Sequence, residues 1–516
     1  VDSQFDLPGG RSKFIVVPRF IANHHYVRFN CDDVFSIIAH KYNSKYIIFM
    51  SNTLRKGRQT TKASSKTKKH TSVQGTIQKK SGWLIVSVFG NPFDRGFAHG
   101  YLLHKELKKM RHVLEYLVTT YYKTTMREYL DRCMTSINHH LQNPEWAFIE
   151  QELRGICAGY KQRTRYSKTS CAISYDILVG WNSYLSMSEI YEDEDKEKDP
   201  STRCSAFIVT GSSTHDGKIL MAHNTHCNFA SGFISNIALY VYPEDPESAF
   251  MMQTAPGLIC SSTDWFITKH GIIGCETTIA YIKYIPDFTK NVPYFLRIRK
   301  AMEQGKSLDD YVSIMTEKNA GDYACSWLLG DIQTNEIMRF EQGLRIQDVK
   351  RTMDGVFYGM NSAFSPELRI LETTDIGLMD PDSGTGARNL RLEYLLGKPK
   401  LTIADAKQII ADHYDVGENC ERKGMRTICK HRECEEGDEF APSGATDGKV
   451  VDSKMATLME FEGIMGSSCG RIFKKQDYPD LIGKHGNWKQ VVDNMPKWPW
   501  INVVAPINVV DPLVHY

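Results

Sequence analysis

Arg203-Cys204-Ser205-Ala206-Phe207-Ile208-Val209-Thr210 decides how the rest of the chain is read. Before it lies an acidic loop: Glu189 to Asp199 carries seven acids and two lysines and runs into Pro200. The run after it is apolar and β-branched, so a strand is predicted from Ser205 to Thr210. Cys204 therefore stands where a polar loop becomes a strand, a place where cysteine is ordinarily a small buried hydrophobe. Cutting the Arg203–Cys204 bond would change its chemistry, because Cys204 would then carry a thiol and a free α-amine. An α-amine titrates slightly below a thiol and accepts its proton near neutral pH, so one residue would supply both nucleophile and base.

Outward from this stretch, short β-rich runs follow at Lys218–His223, Ile237–Tyr242, Trp265–Thr268 and Ile272–Thr278, broken by His215-Asp216-Gly217 and Lys269-His270-Gly271. A hairpin is expected around Thr334-Asn335, between Trp327–Asp331 and Ile337–Glu341. On the other side, Leu103, Leu107, Met110, Leu114 and Leu117 share one face at helical spacing, which predicts an amphipathic helix over 101–122. Thr402 and Asp405 mark a capped helix start, with Ile403, Ile409, Ile410 and His413 inward and the helix running to Tyr414. Helices flank a run of antiparallel strands, so the fold class is α+β with stacked sheets.

The composition is that of a globular protein: 41% hydrophobic, 11% aromatic and 24% charged over 516 residues. Sixty-three Lys/Arg against 61 Asp/Glu leave a net charge of +2, which lacks the electrostatic footprint of a dedicated nucleic-acid binder. No apolar stretch approaches the length of a transmembrane helix. Residues 55–80 hold nine Lys/Arg and no acid and read as a solvated linker, with an anchor for an anionic surface as the alternative. Thirteen cysteines is an odd number, and no Asn-x-Ser/Thr acceptor occurs. The chain begins Val1-Asp2-Ser3, without Met and without a charged-then-apolar run, which reads as a processed or truncated form and leaves the compartment unread.

Several polar residues fall at the ends of the expected strands: His223-Asn224-Thr225-His226, Glu276-Thr277-Thr278, Asn361 after Val356–Met360, and Arg388 entering a helix from Ser383–Ala387. Taken singly, each reads as a strand-edge, turn-capping or solvated residue. Their order is more informative. Arg203–Phe207, Ala222–His226, Cys275–Ile279, Ser326–Asp331, Gly359-Met360-Asn361 and Gly386-Ala387-Arg388 together resemble the N-terminal-nucleophile (Ntn) hydrolases. Within that superfamily the chain looks like the phospholipase B-like proteins and the penicillin acyltransferase-type, linear-amide enzymes. The resemblance starts near Gly90–Gly100 and extends to about Ala445–Val450.

That resemblance implies a four-layer αββα sandwich with two central antiparallel sheets, preceded by a separate extension over residues 1–80. Residues 81–203 would form the N-terminal chain of the body and 204–516 the C-terminal chain, the two remaining associated after self-cleavage. Cys204 would be the nucleophile and Arg203–Cys204 the cleaved bond. His223 matches the phospholipase B-like histidine, and Thr277 or Thr278 its threonine. Asn361 would donate to the oxyanion, and Arg388 would orient the site or stabilise negative charge. Asn224, His226 and Trp327 are candidates for the substrate pocket. Where the relatives tend to have tryptophan or aspartate, this chain has His226, able to polarise a substrate or the Cys204 amine.

The implied activity is hydrolysis or transfer at linear amide C–N bonds. The alternatives are a phospholipase B-like hydrolase of (lyso)phospholipid acyl esters and a catalytically silent scaffold with a basic arm. A lysosomal, secreted or particle-associated setting also fits the resemblance.

No cofactor is expected, and no metal. Cys420, Cys429 and Cys434, with His413 and His431, lack the paired Cys-x-x-Cys knuckles of a structural zinc site and are read as packing or a disulfide. The neighbouring pairs His24-His25 and His139-His140 are expected to point apart. Nucleotide-loop and His-Glu-x-x-His patterns are absent from the sequence.

Overall fold

The structure is a computed structural model that describes residues 73–167, 172–191, 203–261, 265–375, 377–435, 442–480 and 485–506. His24-His25, nearly all of the basic stretch, and residues 192–202 of the acidic loop lie outside the described residues. Two sheets carry the fold. The first has nine strands: β1 (Gly75–Lys80), β2 (Trp83–Phe89), β5 (Ile237–Tyr242), β6 (Phe250–Thr254), β7 (Phe266–Thr268), β8 (Ile272–Thr278), β9 (Cys325–Asp331), β10 (Glu336–Gln342) and β11 (Gln347–Thr352), side by side in that order. The second is ordered β12 (Gly355–Gly359), β3 (Arg203–Thr210), β4 (Leu220–Asn228), β16 (Asp447–Asp452), β17 (Phe461–Met465) and β18 (Ile501–Val503). A short β15 (Ser443–Ala445) also pairs with β4, while β13 (Tyr414–Asp415) and β14 (Cys420–Glu421) form a separate ribbon.

The sheets face each other where β3 packs on β8, β9 and β10, and β12 packs on β9 and β10. Helices cover both outer faces. On the first sheet lie α1 (Pro92–Leu102), α4 (Tyr294–Gln304) and α5 (Leu308–Thr316); on the second lie α6 (Gly384–Leu396) and α7 (Ile403–Ile410). This is the expected α, β, β, α layering.

The sequence of β3 shows why it sits inside. Ala206 and Ile208 belong to the main core with Met221 and Ile273, whereas Phe207 and Val209 join Leu392, Leu396 and Ile410 beneath α6 and α7. A strand buried on both faces reads as a continuous apolar run rather than an alternation. One pairing departs from expectation: β2 and β5 run parallel, joined from Leu84↔Ile237 to Phe89↔Tyr242. Thus the strands before residue 203 and those after it share a single sheet.

Two local readings shift. The predicted 101–122 helix starts at His104, because Leu103 leaves helical geometry (φ −99°, ψ 25°) and separates α1 from α2 (His104–Thr120). The lysines at 79 and 80, read as the end of a linker, instead decorate β1, an edge strand in which charge blocks further pairing. At α7 the capping box forms as expected, Thr402 Oγ1 accepting from the Asp405 amide at 3.3 Å. The helix stops at Ile410, so His413 lies beyond it. His139 and His140 do not point apart; their ring centroids are 3.9 Å from each other.

Two glycines of the Gly90–Gly100 segment, Gly96 and Gly100, have a steric purpose. α1 crosses α3 (Ala147–Thr164) so closely that a Cβ on Gly96 or Gly100 would lie 2.0 Å from the carbonyl oxygens of Glu152 or Ile156. The Arg95 and Arg299 guanidinium groups then bracket the buried Glu152 carboxylate. Gly96→Ala should therefore cost on the order of 1–3 kcal/mol by overpacking, read from denaturant unfolding. An unchanged midpoint would contradict this crossing.

Candidate active site

Cys204 is the second residue of β3, pairs with Thr225 on β4, and is only 3% exposed. Its amide donates to Asn361 Oδ1 at 3.0 Å, and its carbonyl accepts from Arg388 Nη1 at 2.7 Å. Asn361 arrives from the turn after β12 with φ 82°, a left-handed conformation that asparagine tolerates better than most residues. Arg388 arrives from the first turns of α6, whose N-terminus is capped by Ser383 Oγ accepting from the Gly386 amide. From there its guanidinium reaches five oxygens. Nε donates to the Gly384 carbonyl at 2.7 Å, Nη1 also to Ser205 Oγ at 3.0 Å, and Nη2 to the Met360 carbonyl at 2.7 Å and Asn361 Oδ1 at 2.9 Å.

Asn361 Nδ2, the group an oxyanion donor would use, donates to the Thr278 carbonyl at 2.9 Å. In this arrangement the side chain holds the Cys204 nitrogen through its oxygen.

Cross-strand pairing places Thr225 and His223 on the same face of the sheet as Cys204 and Ala206. His223 Nε2 donates across the gap to the Glu276 carbonyl at 3.1 Å, which leaves a lone pair on Nδ1, buried and without a hydrogen-bond partner among the described residues. Thr277 closes the same gap: a Cβ on Gly359 would lie 2.2 Å from its Oγ1. Thr278 faces the other way, donating to Tyr323 Oη at 2.7 Å, which in turn donates to Glu276 Oε1 at 2.8 Å.

The remaining sequence candidates fall on outer faces. Asn224 Nδ2 donates to the carbonyls of Ile410 (2.8 Å) and Ile428 (3.0 Å), and His226 Nε2 to Ile428 at 3.0 Å. Trp327 pairs with Glu276 and therefore shares the face opposite Thr277. Arg203 pairs through its backbone with His226.

Three residues linked to Thr225, the cross-strand partner of Cys204, were not named for the site, although Asp447 and Lys449 lie in the stretch that closes the resemblance. Lys449 Nζ donates to Thr225 Oγ1 at 2.9 Å and pairs with Asp447 Oδ1 at 2.6 Å, both side chains fully buried. Gln253 Nε2 donates to the other Asp447 oxygen at 2.9 Å. The signal was Asp447-x-Lys449 itself: opposite charges two apart in a strand share a face and can pair.

What fold and site define is a two-sheet α+β body with a cysteine at the head of an internal strand, gripped by an asparagine and an arginine. Residues 91–353 match the phospholipase B family model, just over half of the chain. The chain belongs to the phospholipase B family and is a hydrolase. No curated protein matches it. Among solved structures it is similar to a mutant of conjugated bile acid hydrolase from Clostridium perfringens, at 10% identity and TM-score 0.32, over 60% of this chain and 100% of that one. A second variant of the same hydrolase matches at 10% identity and TM-score 0.27, over 61% of this chain and 94% of that one.

Burial sets the charge state of the histidines. It pushes His223 and His226 well below the ordinary imidazole value, helped by Lys449 for His223 and by Arg388 for His226. Burial likewise lowers His99 to about 4. Each is neutral when folded, whereas the unfolded chain protonates near the usual value of roughly 6.5. The unfolded state therefore binds more protons in acid. The contribution is fully present above that value and is lost as pH falls below it. The thermal midpoint should drop between about pH 7 and about pH 5, with a shallower slope in His223→Gln. An equal slope in that variant would show that His223 is not held neutral.

Proposed function

We propose that the chain is a self-processing cysteine hydrolase that cleaves acyl bonds, linear amides foremost, through a thioester on Cys204. The observation that carries this reading is the double hold on the Cys204 backbone: Asn361 on its nitrogen and Arg388 on its carbonyl, from segments more than 150 residues away in sequence. Buried backbone groups always need partners, but in a strand these are ordinarily other backbone groups rather than two side chains from distant segments.

The first acyl bond cut is the chain's own. Cys204 Sγ attacks the Arg203 carbonyl carbon, the C–S bond forms as the C–N bond breaks, and the leaving nitrogen takes up the thiol proton. Water then hydrolyses the thioester, releasing the Arg203 carboxylate and restoring the thiol. The new α-amine stays on Asn361 Oδ1, positioned to accept the thiol proton in each later turnover. The thiolate attacks the substrate acyl carbon, the leaving amine departs with a proton, and water frees the acid. Arg388 is a cation beside this cysteine, hydrogen-bonded here to neutral oxygens, and favours negative charge on a thiolate or tetrahedral oxyanion. His223 offers its Nδ1 lone pair on the same sheet face. Asn224 and His226 act as positioning residues that fix β4 against Ile410 and Ile428. The β2–β5 ladder would keep the two cleaved chains together.

A second reading, hydrolysis of (lyso)phospholipid acyl esters, is favoured by the family match over residues 91–353. It uses the same steps with an alcohol as leaving group.

Turnover separates these readings from an inert scaffold. On a panel of N-acyl amides and lysophospholipids, Cys204→Ala should abolish product, while wild-type protein quenched during turnover carries an acyl mass on Cys204. Asn361→Ala, which releases the Cys204 nitrogen, should lower the rate about 10²-fold by misplacing the nucleophile. Normal turnover by Cys204→Ala would remove the nucleophile assignment, and a wild-type chain inert on the whole panel would favour the scaffold.

A further inference from the structure

Beyond α7 the chain forms the β13–β14 ribbon and returns along the second sheet through residues 427–431, where it meets the turn 466–471 after β17. Four side chains converge at that meeting point: His413, Cys429, His431 and Cys469, their ligand atoms all within 4.8 Å of one another. His431 Nε2 lies 3.1 Å from His413 Nε2, 3.4 Å from Cys429 Sγ and 3.5 Å from Cys469 Sγ. Neither cysteine is in a disulfide.

Hydrogen bonding does not account for this crowding. His431 Nδ1 is 2.8 Å from Glu433 Oε1, and a carboxylate only accepts, so Nδ1 bears a proton and Nε2 of the neutral ring presents a lone pair. A single lone pair makes one good hydrogen bond, yet three polar atoms surround it. A tetrahedral ion does account for it. Zinc–nitrogen bonds of about 2.0–2.1 Å and zinc–sulfur bonds of about 2.3 Å set the nitrogen–nitrogen edge near ~3.3 Å and the nitrogen–sulfur edge near ~3.6 Å. The observed separations fall just inside those edges.

Supporting contacts have the form that metal sites use. Glu433 orients the His431 ring and is itself met by Arg471 Nε at 3.4 Å, while Ser467 Oγ is 3.4 Å from Cys469 Sγ.

We propose that His413, Cys429, His431 and Cys469 form a structural zinc site. Two thiolates and two neutral imidazoles balance a divalent ion, each thiol releasing its proton to solvent on binding. Four protein ligands leave no open position, so the ion is structural rather than catalytic. Its place in the fold indicates what it secures. The Cys429 amide donates to the Asp412 carbonyl at 2.9 Å, and the adjoining Ile428 carbonyl receives both Asn224 and His226 of β4. The ion therefore clamps the segment against which the strand pairing with Cys204 is seated.

The sequence expectation of no metal rested on missing Cys-x-x-Cys knuckles. The fourth ligand, Cys469, lies 38 residues beyond His431, and Cys420 and Cys434, which the sequence singled out, are not among the four.

The test is metal analysis of the full chain, purified without chelator or added metal. The site requires about one zinc per chain, lost in His413→Ala and in Cys469→Ser and kept in Cys434→Ser. Should those variants fail to fold, cobalt(II) substitution of the wild-type chain must give thiolate-to-cobalt charge-transfer bands and the visible bands of a tetrahedral ion. Chelation should also expose two further thiols to a thiol reagent. A wild-type chain that holds no zinc and takes up neither zinc nor cobalt, or one carrying a Cys429–Cys469 disulfide, overturns the proposal.

Discussion

A buried arginine holds the centre of this molecule together. Arg388 is 1% exposed and donates to oxygens of Cys204, Ser205, Gly384, Met360 and Asn361. These oxygens belong to three separate pieces of chain: the head of β3, the turn after β12 and the start of α6. A guanidinium presents its donors in a rigid planar fork, so it fixes direction as well as distance. A lysine could satisfy only part of this set and could not hold the three pieces in one register. Burying such a charge is costly unless its donors are satisfied, and the full set of contacts is what makes the position tenable.

The rest of the architecture supplies the setting. β3 is buried on both faces, Ala206 and Ile208 toward the first sheet and Phe207 and Val209 toward α6 and α7, so the residues at its head cannot drift. β4 is buried along its whole length although it carries His223, Asn224, Thr225, His226 and Asn228. Buried polar groups persist where partners meet them. The partners here are carbonyls of Glu276, Ile410 and Ile428, the Tyr121 hydroxyl, which accepts from Asn228, and the Asp447–Lys449 pair.

Much of this was legible in the sequence, and the limits have physical causes. Ile237–Tyr242 and Ile272–Thr278 are strands over the predicted residues, because β-branched runs between clear turns leave little freedom. The order of Cys204, His223, Asn361 and Arg388 pointed to a shared site, and the structure brings Cys204, Asn361 and Arg388 into contact, with His223 two pairs along β4. Sequence spacing could not show which face of a strand each residue takes. Asn224 and His226 look like neighbours of His223 in the chain, yet period-two alternation turns them away from Cys204. The parallel β2–β5 seam joins strands about 150 residues apart, beyond any local signal. The same holds for Cys469, brought to His431 only by the turn after β17.

If Cys204 becomes a chain terminus, as proposed, the mass of the purified protein under denaturing conditions reveals it. Cleavage before Cys204 predicts two pieces of about 23 and about 36 kDa by chain proportion. N-terminal sequencing of the larger piece should begin Cys-Ser-Ala-Phe. An intact chain of 58.9 kDa, or a cut at another bond, in protein that hydrolyses acyl substrates would contradict it.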